Sequence, residues 1–175
     1  MSEKALSARE TFARLYDEYL DKVYRYIQYR VNNMQLAEDL TSTVFEKALV
    51  NFGKFSNDRA SFSTWIFTIA RNVVIDHYRV SGKRQPVPLE EAAAQSSGIQ
   101  SPEEQLERKD ERERLNLCLA ELSEEEQDIV RLKFGTEMNN RQIGKMLGLS
   151  ESNVGTKLYR AIRKLRNRFQ ELGDG

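Results

Sequence analysis

Residues 141–160 read RQIGKMLGLSESNVGTKLYR, and this stretch has the form of a helix-turn-helix. Ile143, Leu147, Val154 and Leu158 recur at helical spacing and make an inner face. Gly148 supplies the left-handed backbone turn, and Leu149 plugs the space between the helices. Ser150 caps the second helix, which presents Ser152, Asn153, Thr156, Lys157 and Arg160 outward. Short polar and basic side chains at the start of a helix are what a major-groove reader needs. Arg163, Lys164, Arg166 and Arg168 follow and suit phosphates. The competing reading is a solvated basic face on an ordinary helical hairpin. The turn spacing and the basic face occur together, which favours DNA.

Upstream of this motif the same helical punctuation repeats. Ser123 and Glu126 form a capping box for a helix that buries Ile129, Val130 and Phe134 and stops at Gly135. A short helix over 140–147 then leads into the turn. Ser101, Pro102 and Glu104 start an earlier helix that runs to about Leu122. Residues 81–100 hold two prolines, two glycines, an alanine run and several serines, the composition of an inter-domain linker.

The first half carries three helical patterns. Over 8–31, Phe12, Leu15, Tyr16, Tyr19, Val23, Tyr26 and Ile27 make one apolar stripe. Asn33 caps a second helix with Leu36, Leu40, Val44, Phe45, Ala48, Leu49 and Phe52 on one side, and Gly53 is its expected stop. A third helix runs from about Ser61 to Arg79 and buries Phe62, Trp65, Ile66, Ile69, Ala70 and Val73. Its β-branched content calls for tertiary packing to hold it. The fold class is therefore all-α: two small helical domains, 1–80 and 101–175, joined by a flexible linker at 81–100, the second containing the helix-turn-helix.

The formal net charge is zero, yet the charge is segregated. Residues 59–84 carry +4 and 127–170 carry +7, and the acidic stretch 85–126 between them carries −8. Phosphate responds to the local field, so the two basic segments matter more than the total. In the first domain an aromatic wall, the polar loop of 54–60 and a basic helix with Arg71, Asn72 and Arg79 are suited to trapping unpaired bases, which stack on rings at roughly 1–3 kcal/mol each. An isolated aromatic stripe would by itself be read as core.

With these motifs in place, the chain resembles the extracytoplasmic-function (ECF) sigma factors, the smallest bacterial sigma type, over almost its whole length. Residues 37–45, AEDLTSTVF, are similar to the family segment that grips the polymerase clamp. Residues 62–72, FSTWIFTIARN, with Asp76 and Arg79, resemble the helix that reads the minus-ten element. Residues 122–130, LSEEEQDIV, and the helix-turn-helix resemble the minus-thirty-five domain. The resemblance implies a factor that directs core RNA polymerase to promoter DNA, aids strand opening and is held by an anti-sigma partner. It implies polymerase contacts at Asp39, Leu40, Ser42, Thr43 and Phe45. It implies minus-ten contacts at Phe55, Asn57, Arg59, Ser63, Trp65, Arg71, Asn72, Asp76 and Arg79, and minus-thirty-five contacts at Arg141, Ser150, Ser152, Asn153, Thr156, Lys157 and Arg160. Two departures stand out: Ser42-Thr43 replaces the family's usual Gln-Glu pair, and Gly155 occupies a position that is usually basic.

Chemistry by the chain itself is not expected. His77 is the only histidine and Cys118 the only cysteine, so a disulfide or a cysteine-rich zinc site within one chain is excluded, and no cofactor or metal is expected. Cys118 lies on an apolar face and reads as packing. The adjacent acids Glu38 and Asp39 point apart on a helix, which does not suit a shared metal. There is no secretory signal and no apolar run of about 18–20 residues, so the expected setting is the cytoplasm, without membrane insertion. The rival functional class is a self-sufficient helix-turn-helix regulator, which dimerises and binds a palindrome. A sigma factor is monomeric when free and needs polymerase. A helical enzyme is the remotest reading.

Overall fold

The computed structural model describes residues 3–31, 33–56, 60–82, 111, 113–136 and 138–173, with side chains from Ser7 onward. It divides into two compact units between Gln85 and Pro86. The described residues are mostly helical, with no strand among them. Most of the expected linker and the Ser101 capping box lie outside the described residues.

The first unit is built from α1 (Glu3–Val31), α2 (Met34–Asn51), a 3-10 turn (Phe52–Lys54) and α3 (Phe62–Ser81). The Asn33 carboxamide oxygen accepts the Leu36 N–H at 2.8 Å and starts α2. Ser61 does the same for α3 through the Thr64 N–H, and Gly82, at φ 64°, ends it. Val23 and Ile27 of α1, Val44 and Ala48 of α2, and Ile66, Phe67, Ala70 and Val74 of α3 are completely buried. The Phe67 ring meets Tyr26 edge-on at 5.5 Å. The Tyr78 hydroxyl donates to the Arg30 carbonyl at 2.6 Å and ties the end of α3 to the end of α1.

The core stripes differ from the expected ones in instructive places. Trp65 and Ile69 are only half-buried, and Phe67 and Val74 take their place in the core. Apolar residues run around most of α3, so the 3.6-residue period leaves the inward face open; packing against both α1 and α2 settles it. Leu49 is 56% exposed, while Thr41 is buried. Its hydroxyl donates to the Ala37 carbonyl at 2.6 Å, so a polar residue enters the core with its hydrogen bond made.

The second unit contains α4 (residues 113–120), α5 (Glu124–Gly135), α6 (Asn140–Leu147) and α7 (Glu151–Glu171). Its core is Cys118, Leu122, Ile129, Leu132, Met138, Ile143, Val154 and Ala161. Val130 is buried as expected, but Phe134 is 67% exposed. Leu132 faces the core instead, and Phe134, two residues on, lies about 200° around the helix. The Ser123–Glu126 capping box is formed in both directions. The Glu126 carboxylate also receives Lys164 of α7 at 2.8 and 2.9 Å. That bond, followed by its links to Ser123, holds the carboxyl below the usual glutamate range against the opposing effect of burial.

Between α6 and α7 the turn is tight. Gly148 has φ 72° and donates to the Gly144 carbonyl, and the Leu149 N–H reaches the same carbonyl at 2.9 Å. A Cβ on Gly144 would lie 2.5 Å from the Leu149 carbonyl oxygen. That neighbour is backbone and cannot swing away.

Two outcomes follow. Phe67→Ala should destabilise the first unit by about 3–5 kcal/mol, while Leu49→Ala should cost under about 0.5 kcal/mol; urea unfolding compares them, and equal effects would refute the assigned core face. Gly144→Ala should cost the second unit about 1–3 kcal/mol through overpacking. Gly155→Ala, whose Cβ would meet the Asn140 amide at an ordinary 3.5 Å, should be neutral or gain up to about 1 kcal/mol of helix propensity. Thermal melting reads both, and a harmless Gly144→Ala would contradict the close approach.

Candidate nucleic-acid interface

The local chain path of 52–65 brings four aromatic rings together. Phe52 sits in the 3-10 turn, and Phe55 follows in extended backbone at φ −68°, ψ 135°. The Ser61 cap then starts α3, so that Phe62 and Trp65 project one turn apart. Phe55 lies 5.0 Å from Trp65 and 5.5 Å from Phe62, and it stacks on Phe52 at 6.0 Å with an interplanar angle of 19°. Phe62 is buried, but Phe52, Phe55 and Trp65 keep part of their surface open. The nest is thus anchored in the core on one side and available for stacking on the other. Asn57 and Arg59 lie outside the described residues.

At about 100° per residue, Trp65, Asn72, Asp76 and Arg79 fall on one row of α3, opposite its buried face. Arg79 pairs with Asp76 at 3.1 Å, and both are exposed. Ser63 is not part of that row. It lies nearer the core side and is half-buried, and Arg71 stands on the flank. On α2, Asp39 and Ser42 are exposed and Thr43 is half-buried. Leu40 and Phe45 are buried, with Phe45 edge-on to Tyr16 at 4.7 Å. Both side chains are taken up by the core of the first unit.

In the second unit the Ser150 hydroxyl accepts the Asn153 N–H at 3.1 Å and fixes where α7 begins. Val154, Leu158 and Ala161 are buried. Asn153, Thr156, Arg160 and Arg163 follow one another at spacings of three and four and are all exposed. Ser152 is exposed beside them, as is Arg141 at the second position of α6.

Lys157, Lys164 and Arg168 do not join this outer row. Lys157, Ala161, Lys164 and Arg168 form a second row that turns toward acids at the end of α4 and the start of α5. Lys157 meets Glu125 at 2.8 Å, Lys164 meets Glu126 at 2.8 Å, and Arg168 meets Glu121 at 2.7 Å. Lys157 is therefore on the flank of α7, not fully outward as expected, and Lys164 and Arg168 have protein carboxylates where phosphates were anticipated. Segment charges could not reveal this, because the acids come from a different part of the chain. Gly155 is half-buried and faces Asn140 of α6. The Gln142 side chain closes a capping box with Asn139, a feature that only a search for the Asn-x-x-Gln variant would have found.

His77 is half-buried, edge-on to Tyr78. Cys118 is buried, and burial, helped by Glu121, pushes its thiol up. Among the described residues no group of three or more His, Cys, Asp or Glu is placed to hold a metal ion. No described helix is long and apolar enough to cross a membrane.

Comparison with known proteins agrees with this geometry. Residues 15–84 match Sigma-70 region 2, and residues 118–167 match Sigma-70 region 4. The chain is 31% identical over 160 residues to the RNA polymerase sigma factor YlaC of Bacillus subtilis, covering 90% of this chain and 91% of that one. It is 36% identical over 156 residues to the ECF RNA polymerase sigma factor BldN of Streptomyces coelicolor, covering 89% of this chain but 59% of BldN. Its fold is like that of the sigma factor RpoE, solved in complex with the anti-sigma factor NepR from Bartonella quintana, with a TM-score of 0.69 at 18% identity over 94% of this chain and 98% of that one. Two Sigma-70 regions in order, a relative matched over 90% of this chain and 91% of its own, and an open helix-turn-helix face leave one assignment: the chain belongs to the ECF family of RNA polymerase sigma factors, which bring core polymerase to promoter DNA to start transcription.

Proposed function

We propose that the chain divides its work between a strand-trapping unit, 1–80, and a duplex-reading unit, 101–175, and performs no catalysis of its own. The observation that carries this reading is the exposed row Asn153–Thr156–Arg160–Arg163, which begins directly at the Ser150 cap. The start of a helix enters the major groove first, so Asn153 and Ser152 reach base edges. Asparagine suits adenine, with its paired donor and acceptor. Arg160, farther along, holds backbone phosphate, and Arg141 of α6 and Ser150 help to seat the duplex. In the first unit, an unpaired base of the minus-ten element stacks against Phe55 and Trp65. The row of Asn72, Asp76 and Arg79 then tracks the strand, and Asn57, Arg59, Ser63 and Arg71 flank it. Asp39, Ser42 and Thr43 are the polymerase contact, with Leu40 and Phe45 holding them in place. The place of action is the cytoplasm, where the polymerase is.

Transcription with purified core polymerase on promoters differing by single bases tests these roles together. Asn153→Ala should lose discrimination at one base pair of the upstream element, at a cost of about 1–3 kcal/mol there. Arg160→Ala should weaken every promoter alike and flatten the salt dependence. Asp39→Ala should keep the fold and lose affinity for core polymerase. A uniform loss with Asn153→Ala, or parental polymerase binding by Asp39→Ala, would remove that residue from its role.

An anti-sigma protein is the remaining proposed partner, supported by the fold shared with RpoE, whose solved structure contains one. The chain isolated from its own cells before induction should run as a heterodimer on gel filtration and as a monomer afterwards. A monomer under both conditions would count against a holding partner.

A further inference from the structure

We infer that Glu125 is an internal counterion for Lys157, withholding this ammonium from DNA phosphate and so trimming the sequence-independent part of the affinity of α7 for DNA. The inference rests on α7 reading DNA, as proposed above.

Lys157 is the basic residue nearest the reading end of α7, four residues after Asn153. Its Nζ lies 2.8 Å from Glu125 Oε2, and the two side chains are 31% and 43% exposed. Its row continues through Ala161, which is fully buried, to Lys164, paired with Glu126, and Arg168, paired with Glu121 and Glu171. The row is thus turned toward the α4–α5 corner, at an angle to the open row of Arg160 and Arg163. A carboxylate at Glu125 is also favoured independently of Lys157. It lies in the first turn of α5, where the partial positive charge of the helix start favours a carboxylate.

The consequence is electrostatic. A cation that meets DNA phosphate releases counterions from the DNA, and each such contact adds about 0.9 to the slope of log affinity against log salt. A lysine that keeps its carboxylate partner adds nothing to that slope. Arg160, on the open row, contributes in full. The design weakens binding to any DNA equally, and leaves the base contacts of Ser152 and Asn153 a larger share of the affinity.

The test is fluorescence anisotropy of the full chain on a mixed-sequence DNA duplex across a salt series. Lys157→Gln should keep the parental slope. Glu125→Gln, which preserves shape, should steepen it by about 0.9, so that its advantage over the parent changes about 3.5-fold across a fourfold range of salt. The double variant Glu125→Gln/Lys157→Gln should return to the parental slope. A thermal melt of each variant confirms folding; Glu126 is avoided because it also closes the Ser123 capping box. A shallower slope with Lys157→Gln alone, an unchanged slope with Glu125→Gln, or a double variant that stays steep would each overturn the inference. Arg160→Ala in the same series separates the two layers. If it lowers the slope while Glu125→Gln does nothing, the counterion role alone fails; if it has no effect either, the DNA-facing reading of α7 fails with it.

Discussion

Among the described residues, five helices begin at a side-chain oxygen that accepts a backbone N–H three residues on: Asn33, Ser61, Ser123, Asn139 and Ser150. Each cap is worth about 1 kcal/mol, a modest amount beside core burial. Their larger effect is on register. A helix of known start presents known faces, because each later residue is turned about 100° from the last. Ser61 places Phe62 in the core and Trp65 at its margin. Ser150 places Val154 inward and Asn153 outward. The helix period keeps each row together wherever the helix begins; the cap decides which residues are helical at all, and so brings Phe62 and Trp65 of α3, and Asn153 of α7, within the first turns.

This dependence explains why so much of the fold was legible in the sequence. Caps and stops are local chemistry, and Asn33, Ser123, Ser150 and the φ-positive Gly148 were all readable one turn at a time. What escaped was non-local. Phe67 and Val74 enter the core because α1 and α2 together cover a wider face of α3 than any single stripe suggests. Phe134 reads as core by spacing alone and is displaced by Leu132. Gly144 has no signature of its own; its lack of a side chain matters only because the chain returns through Leu149 at 2.5 Å from where a Cβ would be. On the candidate site the same division holds. The outer row of α7 follows from the cap and the period, whereas the partners of Lys157, Lys164 and Arg168 come from α4 and α5 and have no trace in local spacing.

The charge pattern looks different once those partners are known. Read along the sequence, an acidic segment separates two basic ones, and the whole sums to zero. Read in space, part of the acidic segment lies against one side of the last basic helix. Glu126 does two jobs there, closing its own capping box and receiving Lys164. Partly exposed pairs of this kind contribute little to stability individually. Their directional effect is greater: three basic side chains are drawn to one flank of α7, and the outer row is left to Arg160 and Arg163 among smaller polar groups.

Helices α3 and α7 therefore obey one rule, that the open face is what remains after the core and the packing contacts have taken their share. On α3 the core takes Phe62, Ile66, Phe67, Ala70, Val73 and Val74, and the row of Trp65, Asn72, Asp76 and Arg79 is left. On α7 it takes Val154, Leu158 and Ala161. A small helical unit has few elements to spare, and each helix must serve packing and recognition at once. This economy couples the two. A substitution on the buried face of α7 rotates or loosens the exposed row of Asn153, Thr156, Arg160 and Arg163 without altering any of its side chains. Conversely, Asn153, Thr156, Arg160 and Arg163 are exposed and can change at little cost to the fold, whereas Trp65, half-buried among Phe52, Phe55 and Phe62, cannot.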